Sequence, residues 1–135
     1  MSTMEILVAT AEREVYSGLA TMLVAPGAAG ELGIMPKHSP LLAALNPGEL
    51  RIINGDDVDE VFISGGFMEV QPDKITILAD TAERAADMDE AEIIAAQRRA
   101  EEVLSSNNGD TDLAMAEAEL ALMTARLLVL KKYKK

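Results

Sequence analysis

Short apolar runs separated by turn-forming residues fill residues 1–87 of the chain. The runs, which are rich in β-branched and other apolar side chains, are Ile6–Ala9, Ala20–Ala25, Leu50–Ile53, Val58–Ser64, Phe67–Val70 and Lys74–Leu78. Between them lie turn signals such as Pro26-Gly27, Asn46-Pro47-Gly48, Asn54-Gly55-Asp56, Gly65-Gly66 and Gln71-Pro72-Asp73. Closely spaced short strands with a turn at each end are typical of a β-sandwich or barrel. In the last run, the alternation predicts that Ile75 and Ile77 face the core.

After residue 87 the apolar positions follow helical spacing, with no Pro and a single Gly in the rest of the chain. Asp87 or Asp89 can cap the start of a first helix. Its predicted apolar stripe consists of Ile93, Ala96, Ala100, Val103 and Leu104. A stop-and-restart signal follows, with Gly109 as the helix breaker and Asp110 as the next N-cap.

A second helix is predicted from about Thr111 to Lys131. Its stripe comprises Leu113, Ala116, Leu120, Met123, Leu127 and Leu130, and lysines follow where a helix C-terminus favours positive charge. The pattern therefore predicts an α+β chain: a β-sandwich over residues 1–87 and an antiparallel two-helix hairpin over residues 88–135.

The predicted hairpin contains nine alanines, so its helix–helix seam buries little apolar area. A helix pair of this length needs tertiary support in water. Helices that bury so little area against each other can exchange this packing for another at a modest cost in free energy, as a two-state element requires.

Net charge narrows the choice of partners. The 135 residues carry a formal charge of −11, which repels nucleic-acid phosphates and argues against nucleic-acid binding. Five basic side chains nevertheless fall in the last ten residues: Arg126, Lys131, Lys132, Lys134 and Lys135. An acidic body with a basic end suggests two surfaces with different partners.

The chain offers few residues for catalysis or for metal binding. Cysteine is absent, and His38 is the only histidine, on a Pro-flanked loop without triad spacing. We interpret it as a loop histidine that contacts backbone or a partner. The acidic residues Asp56, Asp57, Asp59 and Glu60 lack the spacing of a calcium loop and are expected in a solvated hairpin turn. These observations favour a binding or structural role with no cofactor and no metal.

No signal peptide is indicated at the N-terminus, and no window approaches the roughly 20 apolar residues that span a bilayer. We expect a cytoplasmic protein, or one attached to a membrane through other proteins.

Several sequence segments then point to a family. They are REVYSG (13–18), GELGIMPKHSPLL (30–42), PGELRI (47–52), SGGFMEVQP (64–72), LADTAERA (78–85) and AQRRAEE (96–102). In their order and spacing, along nearly the whole chain, they resemble the epsilon subunits of bacterial F-type ATP synthases. The resemblance implies a ten-stranded β-sandwich followed by a two-helix hairpin, in agreement with the pattern above.

The resemblance also implies a role. Such subunits are non-catalytic parts of the rotating central stalk, at the cytoplasmic face of the bacterial inner membrane, and help to couple proton flow to ATP synthesis. By resemblance, the sandwich contacts the gamma subunit and the c-ring through the loop Gly30–Ile34 with Glu31, and through His38. The alternative for Glu31 is a solvated turn carboxylate.

In the family, the hairpin either folds onto the sandwich or extends into the catalytic head, where it inhibits ATP hydrolysis. The basic residues from Arg126 to Lys135 are candidates to meet acidic segments of the alpha and beta subunits. The alternative is a solubilising tail that complements a helix dipole.

Two positions depart from the family pattern. Some members bind ATP through a Leu/Ile-Asp-x-x-Arg-Ala motif, but here Glu92 stands where that Arg is expected, which would repel a phosphate. Only a degenerate nucleotide site at Asp89, Arg98 and Arg99 remains conceivable. Family members often carry Gly before the loop histidine, and this chain has Lys37.

Two other classes of protein compete with this interpretation. One is a free-standing regulatory module whose hairpin captures a partner helix. The other is an enzyme built on a small β-sandwich, which requires a clustered polar pocket that the sequence does not indicate.

Overall fold

The computed structural model describes residues 2–106 and 113–134 of the chain. These residues form ten β-strands, a 3₁₀ turn at Ala85–Asp87 and two α-helices. The strands are β1 (Met4–Ala9), β2 (Glu14–Ala20), β3 (Met22–Gly27), β4 (Gly30–Ile34), β5 (Leu41–Leu45), β6 (Gly48–Asn54), β7 (Asp57–Ile63), β8 (Gly66–Gln71), β9 (Lys74–Ala79) and β10 (Ala82–Arg84). The helices are α1 (Glu90–Ser106) and α2 (Leu113–Lys134). The predicted α+β fold class is confirmed.

The strands pair in the order β10-β7-β6-β3-β5-β8-β9-β1-β2, with β4 paired to β3. Apart from the parallel pair β1–β9, the neighbours in this order are antiparallel. The two end strands, β10 and β2, come into contact with each other, so the sandwich is nearly closed. Closure protects the strand edges, which would otherwise be exposed for pairing with other chains.

Alternation along the strands builds the core. Ile75 and Ile77 are fully buried, as predicted, and they pack with apolar side chains from the other strands. These side chains include Met4, Ile6, Val8, Leu23, Ile34, Leu50, Ile52, Val61, Ile63, Met68 and Val70. Burial of such a set is the main source of the sandwich's stability.

Two predicted segments are wrong in detail. The run Ala20–Ala25 spans two strands, because β2 ends at Ala20 and β3 begins at Met22. The segment Gly30–Ile34 is the strand β4 rather than a loop. Its alternation explains why: Ile34 is buried and Leu32 packs against the core, while Glu31 points outward.

The helices run antiparallel, as predicted. Glu90, the first residue of α1, accepts a hydrogen bond through its carboxylate from Lys134, the last residue of α2, at 2.8 Å. Farther along the pair, Gln97 donates to Thr124 at 3.1 Å. Asp89 caps α1 by accepting from the backbone N–H groups of Ala91 and Glu92 at 3.0 and 3.4 Å.

Most of the predicted helical stripes face inward. Ile93, Ala96 and Ala100 of α1 and Ala116, Met123 and Leu130 of α2 are buried. Leu113 is 38% exposed, so its assignment to the stripe was wrong. The predicted breaker Gly109, the predicted cap Asp110 and the predicted start Thr111 lie outside the described residues. By internal contacts the chain divides into two compact units, Met1–Asp87 and Met88–Lys135.

Candidate interaction surfaces

Exposed apolar side chains lie together on part of the outer side of β5, β8 and β9. Leu42 is 71% exposed, and Phe67 and Leu78 are each 59% exposed. Phe67 and Leu78 are directly paired across β8 and β9, and Phe67 also pairs with Ala44 of β5. We call Leu42, Ala44, Phe67 and Leu78 the apolar face. Contiguous exposed apolar side chains of this kind mark interaction sites in soluble proteins.

Glu31 projects from β4 beside a charged neighbour. Its Oε1 lies 3.5 Å from Nη2 of Arg51 on β6, whose Nε is 4.0 Å from Oε1 of Glu49. The Glu31 side chain is 69% exposed, so this ion pair contributes little stability and leaves the carboxylate accessible. Its proposed role as a partner contact remains a prediction.

The loop between β4 and β5 holds Lys37 and His38. Lys37 has φ of 66°, in the left-handed region that non-glycine residues rarely adopt. Its backbone N–H donates to the carbonyl of Pro72 at 2.7 Å, which ties this loop to the β8–β9 turn. Glycine adopts positive φ without steric cost, so this φ is compatible with the glycine that the family resemblance leads us to expect at this position.

His38 is half-buried, and its Nδ1 lies 2.6 Å from the carbonyl oxygen of Ser39. The backbone contact expected of a loop histidine is therefore present. This contact restrains the imidazole ring. The role of His38 as a partner contact remains a prediction.

A cluster of three side chains links β2, β7 and β10, and the sequence did not indicate it. The Tyr16 hydroxyl donates to Oδ2 of Asp59 at 3.3 Å, and Nη2 of Arg84 lies 3.4 Å from Oδ1 of the same carboxylate. The Arg84 guanidinium carbon sits 5.6 Å from the centre of the Tyr16 ring. Burial, followed by the nearby Asp59 charge, raises the pKa of the Tyr16 hydroxyl above its ordinary value. Asp59 therefore has a structural role beyond the solvated turn that was expected.

The basic end of α2 is exposed at Lys131, Lys132 and Lys134. Lys134 binds Glu90, and its hydrogen bond and charge lower the pKa of the Glu90 carboxyl. Arg126 is half-buried, and its Nη1 lies 3.5 Å from Sδ of Met123. Lys135 lies outside the described residues.

A second stripe runs along α2. Its members follow the alternating four- and three-residue spacing of a coiled-coil seam, and all are exposed except the half-buried Ala125: Ala114, Ala118, Ala121, Ala125 and Leu128. Leu128 is 59% exposed. α2 therefore carries one apolar stripe that includes its buried residues and another that is largely exposed.

The degenerate nucleotide site is not assembled in this structure. The Asp89 carboxylate is already used as the N-cap of α1, and Glu92 is exposed in the first turn of that helix. Arg98 and Arg99 are exposed nine and ten residues farther along the chain, roughly 13–15 Å away at the helical rise per residue. The possibility of a nucleotide site stays untested.

Among the described helices, none combines the length and hydrophobicity that a membrane crossing needs.

Residues 3–131 match two models of one protein family. Residues 3–85 match the family model described as "ATP synthase, Delta/Epsilon chain, beta-sandwich domain". Residues 86–131 match the model described as "ATP synthase, Delta/Epsilon chain, long alpha-helix domain". The two matches follow one another along the chain and define its class as a delta/epsilon chain of ATP synthase.

Curated relatives make the assignment specific. The chain is 50% identical to the ATP synthase epsilon chain of Acidithiobacillus ferridurans over 93% of this chain and 89% of that one. It is 48% identical to the epsilon chain of Nitrosococcus oceani, over 98% and 96%. It is 50% identical to that of Thioalkalivibrio sulfidiphilus, again over 98% and 96%. The chain belongs to the ATP synthase epsilon chain family and is a non-catalytic subunit of that complex.

Solved structures share the fold. A chain of the Euglena gracilis mitochondrial ATP synthase, in a structure of OSCP/F1/c-ring, aligns with a TM-score of 0.80 at 19% identity over 96% of this chain and 82% of that one. A chain in the central stalk/c-ring structure of Tetrahymena thermophila mitochondrial ATP synthase aligns with a TM-score of 0.59 at 20% identity, over 99% and 98%.

Proposed function

We propose that this epsilon chain couples rotation to catalysis through its sandwich and restrains ATP hydrolysis through its hairpin. The sandwich binds the gamma subunit and the c-ring, and the hairpin reaches the alpha and beta subunits. The complex holds the chain as a peripheral subunit at the cytoplasmic face of the bacterial inner membrane. The apolar face is the observation that carries the proposal.

The apolar face supports the coupling role because it is exposed and built on paired strands. Leu42, Phe67 and Leu78 stand on a rigid sheet, so a partner that covers them gains apolar burial without ordering a loop. We assign this face to the gamma subunit. Exposed Glu31 on β4 and His38 on the adjoining loop provide the polar contacts with the rotor.

The two stripes of α2 support the inhibitory role. A helix whose outer stripe keeps coiled-coil spacing can pack against a further helix while its other stripe stays buried. The basic end adds attraction toward acidic segments of the catalytic subunits, and salt should weaken this attraction.

Substitution of the apolar face tests the coupling role. Phe67→Ser and Leu78→Ser, singly, should weaken binding to ATP synthase depleted of this chain by about tenfold or more, because each removes a large apolar contact. Val58→Ser is the matched control: Val58 is 49% exposed on β7, away from β8 and β9 in the strand order. Binding that is unchanged in both face variants would exclude this surface.

A further inference from the structure

β10 is held to the sandwich by little apolar contact. It contains three residues, all half-buried, and of these Ala82 packs against the core. An alanine methyl buries far less area than the isoleucines of β9, which are fully buried. Ala85, which directly follows β10, is buried but is also an alanine, so apolar packing alone secures this segment weakly.

Two groups of polar contacts, one at each end, fasten this strand. Just before it, the Thr81 N–H and hydroxyl donate to Oγ of Ser64 at 2.9 and 2.7 Å, and the Ser64 N–H donates to the Thr81 carbonyl at 3.1 Å. At its last residue, Arg84 contacts the Asp59 carboxylate at 3.4 Å and covers the Tyr16 ring.

These contacts lie where water can replace them. Thr81 is exposed, and the side chains of Arg84 and Asp59 are 42% and 45% exposed. Hydrogen bonds and ion pairs at such positions add only modestly to stability. Segments with few buried apolar contacts and exposed hydrogen bonds open locally, without global unfolding.

We propose that β10 is a releasable strap: a strand fastened by the Ser64–Thr81 and Tyr16–Asp59–Arg84 contacts that detaches from β7 while the rest of the sandwich stays folded. β10 leads through the 3₁₀ turn Ala85–Asp87 to α1, so its release adds three extended residues, roughly 10 Å, to the segment that joins the two units. The opening is a property of the isolated chain. Any effect of the longer joining segment on the hairpin's inhibitory role rests on the proposed function.

Native-state hydrogen exchange on the full-length chain tests the strap. The amides of Ala82–Arg84 should exchange faster than those of β9. Arg84→Gln should accelerate their exchange by about five- to tenfold, because it removes both the ion pair and the contact with the Tyr16 ring. Tyr16→Phe and Ser64→Ala should each have a smaller effect in the same direction, with β9 unchanged.

Arg51→Gln is the matched control. It removes an ion pair of similar length, to Glu31 at 3.5 Å, together with a longer contact to Glu49 at 4.0 Å, from the interior strand β6. It should leave exchange in β10 as it is. If the β10 amides exchange no faster than those of β9, or if Arg84→Gln accelerates both strands together, β10 opens only with the whole sandwich and the proposal is overturned.

A disulfide provides a second test, in which the oxidised and reduced states of one variant are compared. Ala82 and Ile63 are directly paired, and the chain has no cysteine, so the double variant Ala82→Cys, Ile63→Cys carries a single possible bridge. Oxidation should slow exchange at Glu83 and Arg84 to the rate of β9, and reduction should restore it. Equal exchange in both states contradicts the strap. Neither experiment involves ATP synthase, so a failure of the inhibitory role would leave these results standing.

Discussion

At the scale of single residues, Lys37 stores backbone strain. A left-handed conformation costs a non-glycine residue roughly 1–2 kcal/mol. The Lys37 N–H bond to Pro72 holds it there. Lys37→Gly should therefore raise the free energy of unfolding by about 0.5–1 kcal/mol, the relief of strain less the added entropy of the unfolded glycine.

Urea unfolding measures this change, and Lys37→Ala is the control that removes the charge and keeps the strain. The alanine variant should show no gain. A glycine variant no more stable than the wild type would mean that the loop is not strained at this position.

Gly66 is required for a different reason. Its φ is 145°, and a Cβ there would clash with the carbonyl oxygen of Leu78. Gly66→Ala should destabilise the chain by about 3 kcal/mol, because the clash is with backbone of the neighbouring strand. Gly30→Ala is the control, with φ of 135° and no atom near the added methyl, and it should cost clearly less in thermal or urea unfolding. Equal losses would assign the whole effect to φ.

At the scale of elements, the ion pair between Glu90 and Lys134 joins the start of α1 to the end of α2. The pKa of the Glu90 carboxyl is lowered in the folded chain, so the pair contributes stability at pH values above the ordinary value of 4.5. That contribution is lost as the pH falls through the lowered folded pKa. NMR titration should find the Glu90 pKa below 4.5 in the wild type and closer to 4.5 in Lys134→Ala. The same pKa in both chains would show that the pair does not form in solution.

The start of α1 also bears on nucleotide sensing. Asp89 is engaged as the helix cap, and Glu90 and Glu92 place two further acidic side chains in the first turn. We therefore expect no tight ATP binding by calorimetry. The variant Glu92→Arg places a positive charge where the family's motif carries Arg, so it should bind ATP more tightly than the wild type. Micromolar affinity in the wild type would contradict the argument from Glu92.

The elements also show what sequence could and could not predict. The strands that carry Ile52, Met68 or Ile77 were predicted because each contains a short apolar run bounded by turn residues. β10 was missed because its Ala-Glu-Arg sequence has no apolar alternation, and its position depends on contacts with Asp59 and Ser64 from distant parts of the chain.

The candidate sites were harder to predict than the fold. Phe67 and Leu78 were included in predicted strands, and the prediction that Ile75 and Ile77 face the core already implied that Leu78 faces outward. The sequence could not show that Phe67 and Leu78 are direct cross-strand neighbours, because that depends on the register of β8 against β9. The Tyr16–Asp59–Arg84 cluster left no sequence signal, because its members are far apart in the chain.

At the scale of the whole molecule, we propose that the two units have different tasks. The sandwich offers an apolar face on a nearly closed sheet. The hairpin offers one largely exposed stripe and a basic end on α2, and its helix–helix seam is thin and rich in alanine. Attachment to the complex should therefore depend on the sandwich, and control of hydrolysis should depend on the hairpin.

The most direct test is ATP hydrolysis by the ATP synthase depleted of this chain, titrated with either the full-length chain or residues 1–87. The full-length chain should suppress hydrolysis in a saturable way. The truncated chain should bind and compete with it, leave hydrolysis high and still support ATP synthesis. If residues 1–87 suppress hydrolysis as fully as the whole chain, or fail to join the complex, the division between a coupling sandwich and an inhibitory hairpin is wrong.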